Sequence, residues 1–162
     1  LFLVVITPML QIPAMICFSI TQICYFLRLY LNEKSKKENL IHIITRITTS
    51  ILIIILTIII LKEKTDFLSI LSTFYYTNLI LNIIFAFRKT NKSILFSIGL
   101  LFFSLCDLQI GIVILNDSYI NVSNNIILKF LIDPPFNFAW FFYVPSQTLI
   151  ALSVINDKTS TN

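Results

Sequence analysis

The chain has 162 residues, 57% of them hydrophobic and only 12% charged, about half the charged fraction of a soluble domain. This balance excludes a disordered, collagenous or low-complexity chain. The net charge of +4 suits anionic lipid headgroups and requires no nucleic acid, for which no binding module is visible. Charges are absent over long stretches, so the chain is predicted to be all-α, a polytopic transmembrane helical bundle of about five spans in a single domain.

The first span is expected from about Phe2 to Leu27, a run without a charged side chain and long enough to cross a bilayer core. Pro8 and Pro13 can kink it or move its start toward Pro13. The run is too long for a signal-peptide core and lacks a small-residue cleavage site. The opening Leu1 predicts a fragment of a longer protein. Gln22 and Tyr25 are three apart, with Arg28 three further on, at the edge where its head can snorkel to water. Cys17 and Cys24 share a face. With Cys106 they form an odd set at lipid depth, which reads as apolar filler and not as a disulfide framework.

The second span is expected from about Ile41 to Leu61. Its β-branched core would favour a strand in water, but in lipid only helices and closed barrels satisfy the backbone. No alternating polar pattern supports a barrel. His42 and Arg46 share a face near its start. Arg46 is expected to snorkel to phosphates and His42 to contact a headgroup. The third span runs from about Phe67 to Phe87 and carries Tyr75, Asn78 and Asn82 at spacings of three and four. Two Asn side chains on one face at membrane depth serve as glue between helices, or line a pocket.

The fourth span is expected from about Ser93 to Leu115, with Asp107 its one charged residue. A carboxylate in hydrocarbon needs a partner or water, or else keeps its proton. Either state suits acid–base chemistry or a cation site, and the structural alternative is a protonated Asp bonded across a helix contact. Ser104 and Gly111 share its face, and Gly111 would let a neighbouring helix or ligand approach. Asn116 to Asp133 is polar with an apolar patch at Ile126 to Leu128, an interfacial segment or short helix. The Asn91 and Asn121 sequons carry meaning only in a secreted eukaryotic setting.

The fifth span is expected from about Phe136 to Ile155. Trp140, Tyr143 and Gln147 fall on one face, and Pro145 with Ser146 is expected to break or bend the helix. An interfacial aromatic belt accounts for Trp140 and Tyr143. Gln147 lies deeper and fits a pocket.

Basic residues set the expected orientation. Arg28, Lys34, Lys36, Lys37, Arg88, Lys89, Lys92 and Lys158 fall on one side, with Arg46 just inside it. Lys62, Lys64 and Lys129 fall on the other. Loops 28–39 and 88–92 and the C-terminus are therefore expected to be cytoplasmic, in a bacterial plasma membrane if the Ile, Phe, Asn and Lys bias reflects an AT-rich genome. No phosphate-binding loop, dinucleotide fingerprint, nucleophile elbow or zincin motif is present. A single His leaves no zinc constellation, and neither a metal nor a cofactor is expected.

The run from Ser97 through Gly99, Ser104 and Cys106 to Asp107 and Leu108 resembles the glycine, apolar run and Ser-Asp signature of the YhhN/lysoplasmalogenase-like membrane family. Trp140 to Ile150, with Tyr143 and Gln147, is similar to that family's closing helix. Thr21 to Phe26 is a weaker match to an earlier polar helix containing a Tyr. The chain departs from the pattern at Cys106, where the family has Ser, and at Thr21 and Gln22, where it has Gly and His. It also holds about five of the family's about eight helices.

The resemblance implies a lipid-metabolism hydrolase that cleaves the vinyl-ether bond of a lysolipid in the bilayer. Asp107 would be the catalytic general acid. Tyr143, Gln147, Tyr25, Gln22, Asn78 and Asn82 would be substrate-binding, and membrane lipids the partners. Two other classes stay open: a small-molecule-binding or transport subunit of a membrane complex, and a non-catalytic structural protein whose polar residues only join helices.

Overall fold

A computed structural model describes residues 11–31, 35–88, 94–118 and 138–159. The expected start of the first span with Pro8, the segment after residue 118, both sequons, and Lys34, Lys89, Lys92 and Lys129 lie outside those residues. Five helices account for nearly all of the described chain: α1 (Gln11–Leu31), α2 (Lys36–Leu61), α3 (Phe67–Arg88), α4 (Ile94–Ser118) and α5 (Phe138–Thr159). A 3-10 turn, Lys62–Lys64, follows α2, and there is no strand among the described residues. At 1.5 Å per residue each helix is roughly 30–40 Å long, enough to cross a hydrocarbon core of ~30 Å.

Four of the helices are long and apolar enough to span a membrane, and the apolar part of the fifth runs Ala139–Ile155. The chain is thus an integral, multi-pass, all-α membrane protein. Its exposed surface agrees with this. Ile44, Ile47, Ile51, Ile55, Ile59 and their neighbours on α2 are largely accessible, and only 6% of the apolar window of α2 is buried against protein. In water that surface would be an aggregation site. In a bilayer it is the face that lipid solvates.

Local chemistry fixes the helix ends. Ser35 sits in extended backbone (φ −86°, ψ 114°) and its hydroxyl accepts the amide N–H of Glu38. This cap starts α2 at Lys36, before the apolar run begins at Leu40. The helix stops at Lys62, which takes a positive φ of 49° with ψ −118° while its N–H donates to Ile58 O. Thr65 N–H then donates to Lys62 O. Asp66 caps α3 by accepting the Ser69 amide at 2.7 Å, and the Ser69 hydroxyl donates to the same carboxylate oxygen. The tight link from Lys62 to Asp66 makes α2 and α3 an antiparallel hairpin.

The chain divides into two compact units, Leu1–Phe85 and Ala86–Asn162. In the first, α1, α2 and most of α3 are joined by aromatic and polar contacts. Phe18 meets Tyr75 at 6.0 Å between ring centroids, and His42 stacks on Phe85 at 3.9 Å. Thr57 and Thr73 share a hydrogen bond of 3.3 Å between α2 and α3.

In the second unit α4 packs on α5. A Cβ built on Gly99 would lie 2.8 Å from Ile150 Cγ1, 3.1 Å from Ile150 N and 3.2 Å from Leu149 Cβ. The missing side chain is what brings the two backbones together. Phe102 meets Phe142 and Phe103 meets Tyr143, at 6.1 and 6.2 Å. The small polar residues Ser97, Ser104, Ser146 and Ser153 are buried. Of the break or bend expected at Pro145, the break does not occur: α5 continues through it from Phe138 to Thr159. The proline takes away the N–H that would pair with Phe141 O, but the helix persists around the gap, as membrane helices commonly do.

Candidate functional site

A dense polar arrangement among the described residues lies in the first unit and centres on Arg46 of α2. Counting from Lys36, Arg46 lies about 15 Å along the helix axis, less than two turns into the apolar run that begins at Leu40. Its head does not snorkel toward headgroups as expected. It turns to α3, where Nη1 donates to Asn78 Oδ1 at 2.6 Å and Nη2 to Asn82 Oδ1 at 2.7 Å. The spacing of Asn78 and Asn82 puts both amides on one face, one turn apart, matching the fork of a guanidinium.

The amide nitrogens are also used. Asn78 Nδ2 donates to Phe74 O at 2.8 Å. Asn82 Nδ2 donates to both Gln22 O and Gln22 Oε1 on α1, each at 3.0 Å. One chain of hydrogen bonds thus joins α1, α3 and α2. Phe26 of α1 lies under the guanidinium, with Arg46 Cζ 4.4 Å from the ring centroid. Gln22 and Asn82 are wholly buried and Asn78 nearly so.

This network is polar but not charge-neutral. Among the described residues no carboxylate forms an ion pair with Arg46, and Arg46 Nε and Gln22 Nε2 are buried without a hydrogen-bond partner. The guanidinium also has more N–H groups than its two bonds to Asn use. Beside it lies a cavity of about 400 Å³, bounded by α1, α2 and α3, whose lining includes Arg46, Asn78 and Ser50. Ser50 is 94% buried by its 6% exposure, and its hydroxyl has no partner among the described residues.

The second unit holds the other sequence candidates. Asp107 lies in the middle of α4, half-buried. Tyr143 and Gln147 are half-buried on α5. Trp140 meets Tyr143 edge-on at 5.7 Å, as expected from their shared face, and the Tyr143 ring lies against Phe103, one turn before Asp107. Gly111 does not bring a described helix close, since a Cβ there would meet nothing within 4 Å among the described residues. Gly99 does so instead, two turns before Asp107.

Of the expected site residues, the structure brings Gln22, Asn78 and Asn82 together in the first unit and places Tyr25 half-buried one turn from Gln22. Sequence reasoning did not place Arg46 among them. The signal was a lone cation inside an apolar span, followed one hairpin later by two Asn at a spacing of four. Cys17 and Cys24 are exposed on α1 and Cys106 is buried, all as free thiols. No group of three or more His, Cys, Asp or Glu among the described residues could hold a metal ion. Comparison with protein-family models, with curated proteins and with solved structures gives no match.

Proposed function

We propose that this protein acts on single-chain ether lipids inside the bilayer, with Asp107 as the general acid that opens a vinyl-ether bond. The observation that carries the reading is a carboxyl group at mid-helix depth, half-buried and therefore reachable, with Tyr143 packed one turn away against Phe103. The likeness of residues 97–108 and 140–150 to the lysoplasmalogenase-like signature supports it.

In this reaction Asp107, held as the protonated acid, gives its proton to the alkene carbon distal to the ether oxygen. The resulting oxocarbenium ion takes up water at the carbon that bears the oxygen. The attacking water gives one proton back to the Asp107 carboxylate, leaving a neutral hemiacetal; this collapses to an aldehyde as its hydroxyl proton passes to the departing glyceryl oxygen, releasing a glycerophospho-alcohol. Tyr143 and Gln147 orient the water or the ether oxygen. Loops 28–39 and 88–92 and the C-terminal tail face the cytoplasm, in line with the excess of basic residues there.

Purified protein given a lysoplasmalogen should release a long-chain aldehyde, and Asp107→Asn should abolish release while leaving the protein folded. Aldehyde release that survives Asp107→Asn removes Asp107 from the mechanism, and its absence in the parent protein ends the hydrolase reading. One observation favours a non-catalytic role instead: the hydrogen-bonded chain from Gln22 through Asn82 to Arg46 joins three helices. Under that reading, substitutions at these residues change stability alone.

A further inference from the structure

We infer that α5 is jointed at Pro145, and that its first segment, Phe138–Val144, swings against α4 to open and close the approach to Asp107. The joint stands on the packing of α4 and α5 alone. Only its use, admitting a lipid to Asp107, rests on the hydrolase reading.

Backbone chemistry locates the joint. Pro145 has no N–H, so the helical bond to Phe141 O is missing inside a helix that runs from Phe138 to Thr159. Sharp bends in long helices concentrate at such positions. Ser146, the next residue, is wholly buried, and its hydroxyl has no hydrogen-bond partner among the described residues. An acceptor lies within its own helix: Phe142 O, four residues back. A serine that bonds there bends its helix. The hydroxyl thus has two positions, unbonded as here, and bonded to Phe142 O in a more bent helix.

The two segments are held unequally. Beyond the joint, Ile150 lies so close to α4 that a Cβ on Gly99 would come within 2.8 Å of its Cγ1 and 3.1 Å of its N. Contact between backbones leaves that segment little room to move. Ser153 is buried on the same side and its hydroxyl donates to Ile150 O at 2.6 Å. Before the joint the contacts are between rings, Phe102 with Phe142 and Phe103 with Tyr143, at 6.1 and 6.2 Å. Aromatic pairs stay favourable over centroid separations of roughly 4.5–7 Å, so these contacts survive a shift of about 1 Å. Phe141 and Val144 are 66% and 56% exposed, and on that side the segment meets lipid, which yields.

Position gives the swing its consequence. Gly99 meets Ile150 and Phe103 meets Tyr143, so α4 and α5 run antiparallel. One turn further along α4 and one turn back along α5 put Asp107 level with Ala139 and Trp140. The stretch from Phe138 to Pro145 is about 10 Å long. A change in bend of about 20°, the size of an ordinary proline kink, carries its free end about 3–4 Å. That displacement falls at the level of Asp107, while Ile150 stays on Gly99. One state spreads the helix pair there and admits a single-chain lipid sideways to the carboxyl group, and the other closes it.

The test uses the full chain in nanodiscs with Cys17→Ser, Cys24→Ser and Cys106→Ala. Nitroxide spin labels are attached at pairs of cysteines introduced where the parent side chain is exposed. Ile94→Cys with Phe141→Cys reports the free segment against α4. Leu108→Cys with Leu152→Cys reports the anchored segment. Double electron–electron resonance should give the first pair two populations about 2–4 Å apart, and the second pair one. Pro145→Ala should merge the two populations of the first pair. Ser146→Ala removes the bond to Phe142 O and should reduce the more bent population about two- to tenfold.

The second pair should stay unchanged in both variants, which shows that α4 and α5 remain packed. One population for the first pair in the parent protein, as narrow as that of the second pair, overturns the joint. Two populations that persist in Pro145→Ala overturn it as well. These distances are read without substrate, so a failure to release aldehyde ends the hydrolase reading and leaves the joint standing.

Discussion

Arg46 Nη2 and Asn82 Oδ1 are 2.7 Å apart, and the same Asn82 amide donates to the backbone and side-chain oxygens of Gln22. One side chain thus serves a cation on α2 and two acceptors on α1. Asn82→Leu fits the volume but leaves Arg46 with one partner and both Gln22 oxygens without this donor. The expected loss is about 1–3 kcal/mol, since charge-assisted and buried hydrogen bonds are involved, though membrane references moderate such values. A thermal melt in a fixed detergent measures it. In a double-mutant cycle with Gln22→Leu the losses should be less than additive, because both changes remove the bond from Asn82 Nδ2 to Gln22 Oε1. Strict additivity would mean that the side-chain bond between Asn82 and Gln22 contributes nothing.

Gly99 and Gly111 should respond in opposite ways. At Gly99 an added methyl meets Ile150 Cγ1 at 2.8 Å and the Ile150 backbone N at 3.1 Å. The branched side chain and the helix backbone have little room to yield, so Gly99→Ala forces α4 and α5 apart. A cost of about 1–3 kcal/mol is expected, as for other overpacked contacts, and Gly99→Leu should cost more. At Gly111 there is open space among the described residues, and Ala is the better helix former by up to ~1 kcal/mol. Gly111→Ala should be neutral or stabilising. Melting temperatures of the two alanine variants, measured side by side, check the contrast.

The reach of the sequence is clearest at these positions. Absent charges over span lengths specify helices in lipid whatever their β-branching, so Ile51 to Leu61 reads correctly as helix. Spacing places Asn78 with Asn82, and Trp140 with Tyr143, on shared faces. What spacing along one helix cannot provide is the partner on the next. Arg46 reads as a snorkelling cation because a long side chain near a span's edge can reach water. Its choice of Asn78 and Asn82 depends on how the α2–α3 hairpin aligns the two helices. The same holds for the two glycines: both are permissive in sequence, and only packing decides that Gly99 touches α5. The start of α2 was hidden for another reason, since its first turn is polar and capped by Ser35, outside the apolar pattern.

Asp66 gives a pH dependence with a definite sign. The Ser69 hydroxyl, and after it the Ser69 amide, hold the Asp66 carboxyl below its ordinary value of 3.8. A depressed folded-state value means that the ionised form stabilises the folded protein. That contribution is complete above the ordinary value and is lost as pH falls through the lower, folded value. Asp66→Ala should cost about 1 kcal/mol at neutral pH, as loss of a helix N-cap does. The gap between the melting temperatures of parent and variant should shrink as pH is lowered from about 6 toward about 3, across the carboxylate range. A gap that widens on acidification would show that the carboxylate does not stabilise the start of α3.

Lys62 ends α2 in a backbone conformation that L-residues rarely adopt. Its φ of 49° with ψ −118° lies close to the first central position of a type II′ turn, where glycine is preferred because a Cβ crowds the backbone. The geometry is held by hydrogen bonds on both sides: Lys62 N–H to Ile58 O, and Thr65 N–H to Lys62 O. Neither bond uses the side chain, and Lys62 is exposed, so its ammonium has no structural duty in the turn. Lys62→Gly should therefore relieve strain while keeping the hairpin. The glycine also gains freedom in the unfolded chain, which offsets part of the relief, and a net stabilisation of up to ~1 kcal/mol is expected. Lys62→Ala keeps the Cβ and should gain nothing, which separates backbone strain from the effect of removing a charge. Lys62→Val places a branched side chain in the same conformation and should destabilise. An order of stability from Gly through Lys and Ala down to Val, read from unfolding in one detergent, supports a turn limited by its backbone. Equal values for Gly and Ala would assign any gain to the lost charge.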